Sequence, residues 1–400
     1  MKKKIMPIIF CSLIMLITAA SDSLRGIFLP QFGKTFELSG TGGSMIITMS
    51  YIGNLLFLLA GGYISDRVPK KKFLFGMMIL WSAALALHAF TENYTVMLIC
   101  IMFSMGGSTM ISTTVNILTP MMFTASAMLV NIFNFCQGIG ITAAQNIFGR
   151  INDRIDGWHI ANTIILSICA LCFVFLIFMK IPEPMKAPED AENKKTPRRS
   201  VIAVYKEVLK NKAALPLIFI TGCYFIVEHG LQNWLTSYGS IHLGYTVQGS
   251  AMFLSYFFGF LTIGRLIFAP LVQKLGISRS MLIFSAVSAV LHFIGIAGGR
   301  DMIMVVCVSG LGFSILYPTL VLLIKGYFDD SLAGSAVGFV LSAATLFDIG
   351  FNAVFGGVVD AVGFGIAIYI LPAANILFAA GLFVLYFKTR KKTQDVSLQK

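Results

Sequence analysis

Apolar runs of about twenty residues alternate with short polar turns along most of this chain, and about twenty apolar residues are what one helix needs to cross a hydrocarbon core of about 30 Å. Twelve such runs can be placed, at 7–29, 43–65, 73–90, 95–119, 126–149, 161–179, 214–237, 249–273, 280–298, 302–324, 334–358 and 366–387. The pattern predicts an all-α membrane protein with twelve transmembrane helices. One long polar stretch, 180–212, carries Pro182, Pro184, Pro188, Pro197 and the basic run 194–199, and divides the spans six and six. The expected organisation is therefore an N-terminal six-helix half at 1–185, a cytoplasmic linker at 186–212 and a C-terminal six-helix half at 213–400. Near the linker's end, Val201, Val204, Tyr205 and Val208 share one helical face, with Lys206, Lys210 and Asn211 elsewhere. That spacing predicts a short amphipathic helix lying on the inner membrane surface.

The halves repeat one another. Phe148-Gly149-Arg150-Ile151-Asn152-Asp153 is answered 207 residues later by Phe355-Gly356-Gly357-Val358-Val359-Asp360, with the Phe-Gly pair and the Asp retained. At the same offset, the loop from Gly62 to Lys72 is answered by a degraded copy from Gln273 to Arg279. Two halves of the same orientation, related by a pseudo-two-fold axis along the membrane normal, form an architecture in which a midplane site is reached alternately from either side. The expected function is transport.

Composition agrees: 57% of residues are hydrophobic and 12% charged. If both termini are cytoplasmic, most of the 30 Lys and Arg residues fall at the inner face, as the positive-inside rule favours, whereas the opposite orientation fits poorly. The net charge of +12 then reads as topology and attraction to an anionic leaflet rather than as a nucleic-acid footprint. The basic N-terminus with its apolar run is expected to be an uncleaved first span in a plasma-membrane protein, not a signal peptide. All seven cysteines lie inside predicted spans, where Cys169 and Cys172 are expected to act as small hydrophobes, and no metal or cofactor is expected. No phosphate-binding Gly-x-x-x-x-Gly-Lys-Ser/Thr loop occurs, so the energy must come from an ion or solute gradient. Neither a nucleophile–base motif nor a helical metal-ligand motif points to a membrane enzyme.

Gly62, Asp66, Arg67, Lys70 and Lys71, between spans two and three, resemble the signature loop of the major facilitator superfamily, with Pro69 where Gly is usual. Within it the chain looks most like the fucose permease group of sugar/proton symporters, through Leu29-Pro30-Gln31-Phe32, Asn116, Asn131, Asn134, Gly138, Gly140, Gly264-Arg265 and Tyr317-Pro318. The resemblance implies the major facilitator fold and sugar transport coupled to protons. The coupling carboxylates of fucose permease in spans one and four align here with Gly26 and Ser112, so any proton coupling must use other acids.

Ionisable groups inside a bilayer are costly and mark function by default. Three acids qualify as proton-coupling candidates: Asp22 in span one, Glu228 in span seven and Asp348 in span eleven, all in one layer slightly outward of the midplane. Arg25, three residues from Asp22, could neutralise it as a local ion pair. Tyr224, His229 and Gln232 surround Glu228 with groups suited to sugar hydroxyls or a shared proton. Asn131, Asn134 and Gln145 fall in one stripe of span five that should line a cavity, while its glycines suit close packing. Trp234 fits either a sugar-stacking platform or an interfacial belt with Tyr238. Asn352 completes the cavity candidates. Arg265, about 12 Å from the inner end of span eight, suits an inner-gate ion pair or carbonyl cap.

The leading expectation is a monomeric secondary transporter for a small polar solute, a sugar or related metabolite, coupled to protons. Drug or organic-ion efflux and a non-transporting nutrient sensor stay open as alternatives.

Overall fold

The computed structural model describes residues 2–65, 68–123, 126–152, 154, 156–179, 181 and 201–397. The described chain is helical almost throughout. In order, the helices are α1 (Lys2–Ile27), α2 (Leu29–Thr35), α3 (Gly40–Ser65), α4 (Lys70–Phe90), α5 (Tyr94–Met122), α6 (Ser126–Gly149), α7 (Gly157–Phe178), α8 (Val201–Lys210) and α9 (Ala214–Ser237). They continue as α10 (Val247–Leu275), α11 (Ile277–Ala297), α12 (Gly299–Phe313), α13 (Leu316–Lys325), α14 (Asp330–Val362), α15 (Phe364–Ala367) and α16 (Ile370–Ser397). Among the described residues, eleven helical stretches are long and apolar enough to span a membrane, and α6, 24 residues long, stands in the fifth place of the expected twelve. Span ten is continued by two helices, α12 and α13, which together run as Gly299–Lys325.

Two compact units result. The first comprises 1–196, 233–255 and 352–361; the second comprises 197–232, 256–351 and 362–400. One unit boundary, between 196 and 197, falls within the stretch 186–212, and the ends of α9, α10 and α14 also join the first unit.

In the first unit, small residues let helix backbones meet. A Cβ at Gly140 would stand 2.2 Å from the Leu16 carbonyl oxygen, and one at Gly53 would stand 2.0 Å from that of Met102. These glycines place α6 against α1 and α3 against α5 at a spacing closed to any larger residue. The repeat motif makes the same contact twice: Gly149 abuts Ala251, and Gly356 abuts Ser44, the residue 207 positions before Ala251. An aromatic cluster closes the α1 end, with Trp158 4.7 Å from Phe32 and 5.4 Å from Phe36 between ring centres. Asn152 donates its amide to the Ile27 carbonyl there.

In the second unit, Gly310 meets the Phe257 backbone and Gly295 meets that of Val306. Gly276, at a φ of 80°, turns the chain from α10 into α11, a conformation only glycine adopts without strain. Helix α8 buries Val208, sets Tyr205 4.7 Å from Phe339 and exposes Lys206 and Lys210.

Candidate functional site

Helix α1 carries a polar column on one face: Thr18, Asp22 and Arg25, at i, i+4 and i+7. Helix α5 packs against it and supplies the matching groups. Ser112 lies 3.4 Å from the Thr18 hydroxyl and accepts from Gln137 at 3.2 Å, while Ser108 donates to Asp22 Oδ1 at 2.7 Å. Ser112, the span-four position that the resemblance aligned with a coupling carboxylate, thus sits among hydroxyl and amide contacts from Thr18 and Gln137.

Arg25 does not close onto Asp22. Its Nε donates to Asn233 Oδ1 at 3.2 Å, Nη1 to Met105 Sδ at 2.7 Å and Nη2 to the Tyr51 hydroxyl at 3.4 Å, and its guanidinium carbon stands 5.0 Å from the Tyr51 ring centre. Asn233 also donates to the Tyr51 hydroxyl at 3.1 Å. The local ion pair expected from the i, i+3 spacing is therefore absent as a direct contact, because the long arginine side chain reaches past Asp22 to acceptors on α3, α5 and α9. Asn233, Tyr51 and Ser108 were not singled out from sequence. Asn233 had the clearest signal, lying directly between Gln232 and Trp234.

Trp234 is 2% exposed, donates its indole N–H to Asn352 Oδ1 at 2.9 Å and packs 4.8 Å from Phe355. Tyr238 is equally buried, so both rings are packed inside the protein and not on its lipid-facing surface. Packing of α9 against α14 decides this, which the i, i+4 spacing could not show. Gln145 is fully buried, and neither its amide oxygen nor its nitrogen has a hydrogen-bond partner among the described residues. Asn134 is half-buried, and the side chain of Asn131 lies outside the described residues.

The second unit holds a separate ionisable group of residues. His229 Nδ1 and Asp348 Oδ2 stand 2.7 Å apart, with Asp348 only 1% exposed and the Phe225 ring 5.0 Å from the imidazole. Sequence offered Asp348 no local partner; its partner comes from a helix 119 residues earlier. Glu228 is half-buried, and it and Arg265 are the charged groups acting on the phenols of Tyr224 and Tyr317, whose rings stack at 6.3 Å. Arg265 Nε donates to the Ser314 carbonyl at 3.3 Å, next to the break between α12 and α13. Gln232 is half-buried. So Glu228 and Arg265 act on Tyr224 and Tyr317, and the Phe225 ring links Tyr317 to His229 of the His229–Asp348 pair.

At the signature loop, Asp66 and Arg67 lie outside the described residues, and Gly62 is described in its helical backbone alone. Lys70 is half-buried. Lys71 reaches from α4 to the end of α7, donating to the carbonyls of Ile177 at 3.0 Å and Met179 at 2.7 Å. A cation there satisfies carbonyls that have no intrahelical partner and complements the helix dipole.

Internally duplicated spans whose buried faces carry carboxylates, a guanidinium and amides mark a membrane transporter. The Major Facilitator Superfamily model matches residues 11–349, and the chain belongs to that family. It is a multi-pass membrane transporter and not an enzyme. A curated relative, the hexuronate transporter of Bacillus subtilis (strain 168), is 25% identical over 399 residues, covering 95% of this chain and 93% of that one. Among solved structures, the nucleoside transporter NupG superposes with a TM-score of 0.74 at 14% identity, over 96% of this chain and 99% of that one. A D-xylose-proton symporter gives a TM-score of 0.75 at 13% identity over 95% and 97%. The E. coli fucose:proton symporter FucP gives 0.66 at 18% identity over 96% and 99%. At these identities the structural likenesses establish the fold.

Proposed function

We propose that this protein is a proton-coupled secondary transporter that moves a small polar solute, a sugar or a related metabolite, across the cell membrane by alternating access of its two six-span halves, 1–185 and 213–400. Both termini are cytoplasmic in this reading, since that places most basic residues inside. The observation that carries it is the convergence of Glu228, Tyr224, Tyr317 and the His229–Asp348 pair inside spans, where ionisable groups are retained for function. Glu228 is the coupling acid, with Asp22 or Asp348 assisting. The names of the relatives, a hexuronate transporter, a D-xylose-proton symporter and a fucose:proton symporter, support a sugar-like substrate and a proton as the partner ion.

The test is proton movement in proteoliposomes challenged with hexoses, deoxyhexoses, amino sugars, sugar acids and cationic dyes, followed with a pH-sensitive dye. Alkalinisation outside the vesicles on adding one sugar-like solute is the expected result. Proton release driven by dyes alone would replace this reading with efflux.

A further inference from the structure

We propose that Arg25 is the anchor for a carboxylate on the transported solute, which makes the substrate class a monocarboxylated sugar; the inference rests on the transporter reading above. Arg25 is 6% exposed and sits in the apolar interior of a membrane bundle. Among the described residues no carboxylate oxygen lies within 4.0 Å of it, although Asp22 is three residues away on the same helix. What it has instead is an amide oxygen, a thioether sulfur and a phenol, at 3.2, 2.7 and 3.4 Å. None is charged, and a thioether is a weak acceptor.

A buried guanidinium held by neutral acceptors is expensive, because desolvation costs several kcal/mol per ion and only an anion with good geometry offsets it. Asp22 acts on Arg25 only across a gap longer than an ion-pair contact, while its Oδ1 accepts from Ser108 at 2.7 Å. The fork of five N–H donors suits a bidentate planar carboxylate, and Met105 Sδ, the poorest of the three acceptors, is the one a carboxylate oxygen would replace. Around that anchor, the Asn233 amide and the Tyr51 hydroxyl offer donors and acceptors for neighbouring sugar hydroxyls, and the Tyr51 ring lies against the guanidinium. A neutral sugar would leave the guanidinium with no anion in direct contact. A fatty or aromatic acid would leave the Asn233 and Tyr51 groups unused.

The experiment compares binding and counterflow of D-glucuronate and D-galacturonate with D-glucose and D-galactose, using purified protein and proteoliposomes. The proteins are wild type, Arg25→Lys, Arg25→Gln and the charge-neutral double variant Asp22→Asn/Arg25→Gln, each checked for folding by thermal unfolding. The expected result is uronate binding and exchange by wild type, with Kd weakened about 10-fold in Arg25→Lys and about 100-fold in Arg25→Gln, from loss of charge-assisted hydrogen bonds. The double variant is expected to fold as wild type does and still fail to bind uronate, which separates an anchor from a purely structural charge. Unchanged uronate affinity in a folded Arg25→Gln or double variant would overturn the assignment. Exchange of a neutral hexose without uronate binding would overturn the anion site and leave the transporter reading standing. A folded wild-type protein that moves neither kind of solute would overturn both.

Discussion

The carboxylate of Asp360 caps the helix that begins at Gly40, 320 residues earlier in the chain. Oδ1 accepts the Gly40 N–H at 2.7 Å, and Oδ2 accepts the Thr41 N–H at 2.9 Å and the Thr41 hydroxyl at 3.0 Å. The first N–H groups of α3 have no partner within their own helix and carry the positive end of its dipole, so an anion brought from α14 acts as a cap supplied in trans. One turn back along α14, Gly356 donates its N–H to Ser44 Oγ at 2.7 Å. The repeated Phe-Gly…Asp motif thus builds a joint between α14 and α3.

Replacing the cap gives the first prediction. Asp360→Ala should cost about 1 kcal/mol, the usual worth of a lost N-cap, and Asp360→Asn should cost less because an amide oxygen still accepts while the charge is gone. Thermal unfolding in detergent measures both. Equal stability of Asp360→Ala and wild type would show that water replaces the carboxylate without loss.

Glycine packing gives the second. A Cβ at Gly356 would lie 1.9 Å from the Gly40 carbonyl oxygen, whereas one at Gly149 would meet only the Ala251 Cβ, at 2.7 Å. Backbone cannot give way as a side chain can, so Gly356→Ala should destabilise by about 1–3 kcal/mol, more than Gly149→Ala. The ranking of the two melting temperatures checks it, and the reverse order would contradict the close-packing account.

For His229 and Asp348 the argument turns on removing one partner from a buried pair. Asp348→Asn and His229→Leu should each destabilise strongly, by about 3–5 kcal/mol where an uncompensated charge stays buried, and together they should cost less than the sum of the two. A double-mutant cycle on unfolding midpoints reads the coupling. Strict additivity would mean that the 2.7 Å contact contributes no interaction energy.

Glu228→Gln separates coupling from transport itself. It keeps shape and hydrogen bonding but cannot release a proton, so it should abolish accumulation driven by a pH gradient while leaving substrate counterflow measurable. Accumulation equal to wild type would remove Glu228 as the coupling acid and direct attention to Asp22 and the His229–Asp348 pair.

The twelve-span layout was legible in the sequence because hydropathy is a local requirement: every stretch of helix in lipid must satisfy its own backbone and present its own apolar surface, whatever its neighbours do. The duplication was equally plain, since Phe148-Gly149 and Phe355-Gly356 repeat in register. Helical rise alone gave Asp22, Glu228 and Asp348 one expected level. Partner choice did not follow. Arg25 turns from Asp22, its neighbour in sequence, to Asn233, 208 residues away; Asp348 meets His229; Trp234 gives its N–H to Asn352. Each of these contacts depends on how two helices are rotated and how closely they approach, and only the packed structure sets that, through glycines such as Gly140 and Gly356 that fix the spacing of the backbones. The sequence by itself determined which stretches form apolar helices long enough to cross a membrane, because that requirement is met along one helix. Only the tertiary structure decided which of them meet, because meeting is a property of two.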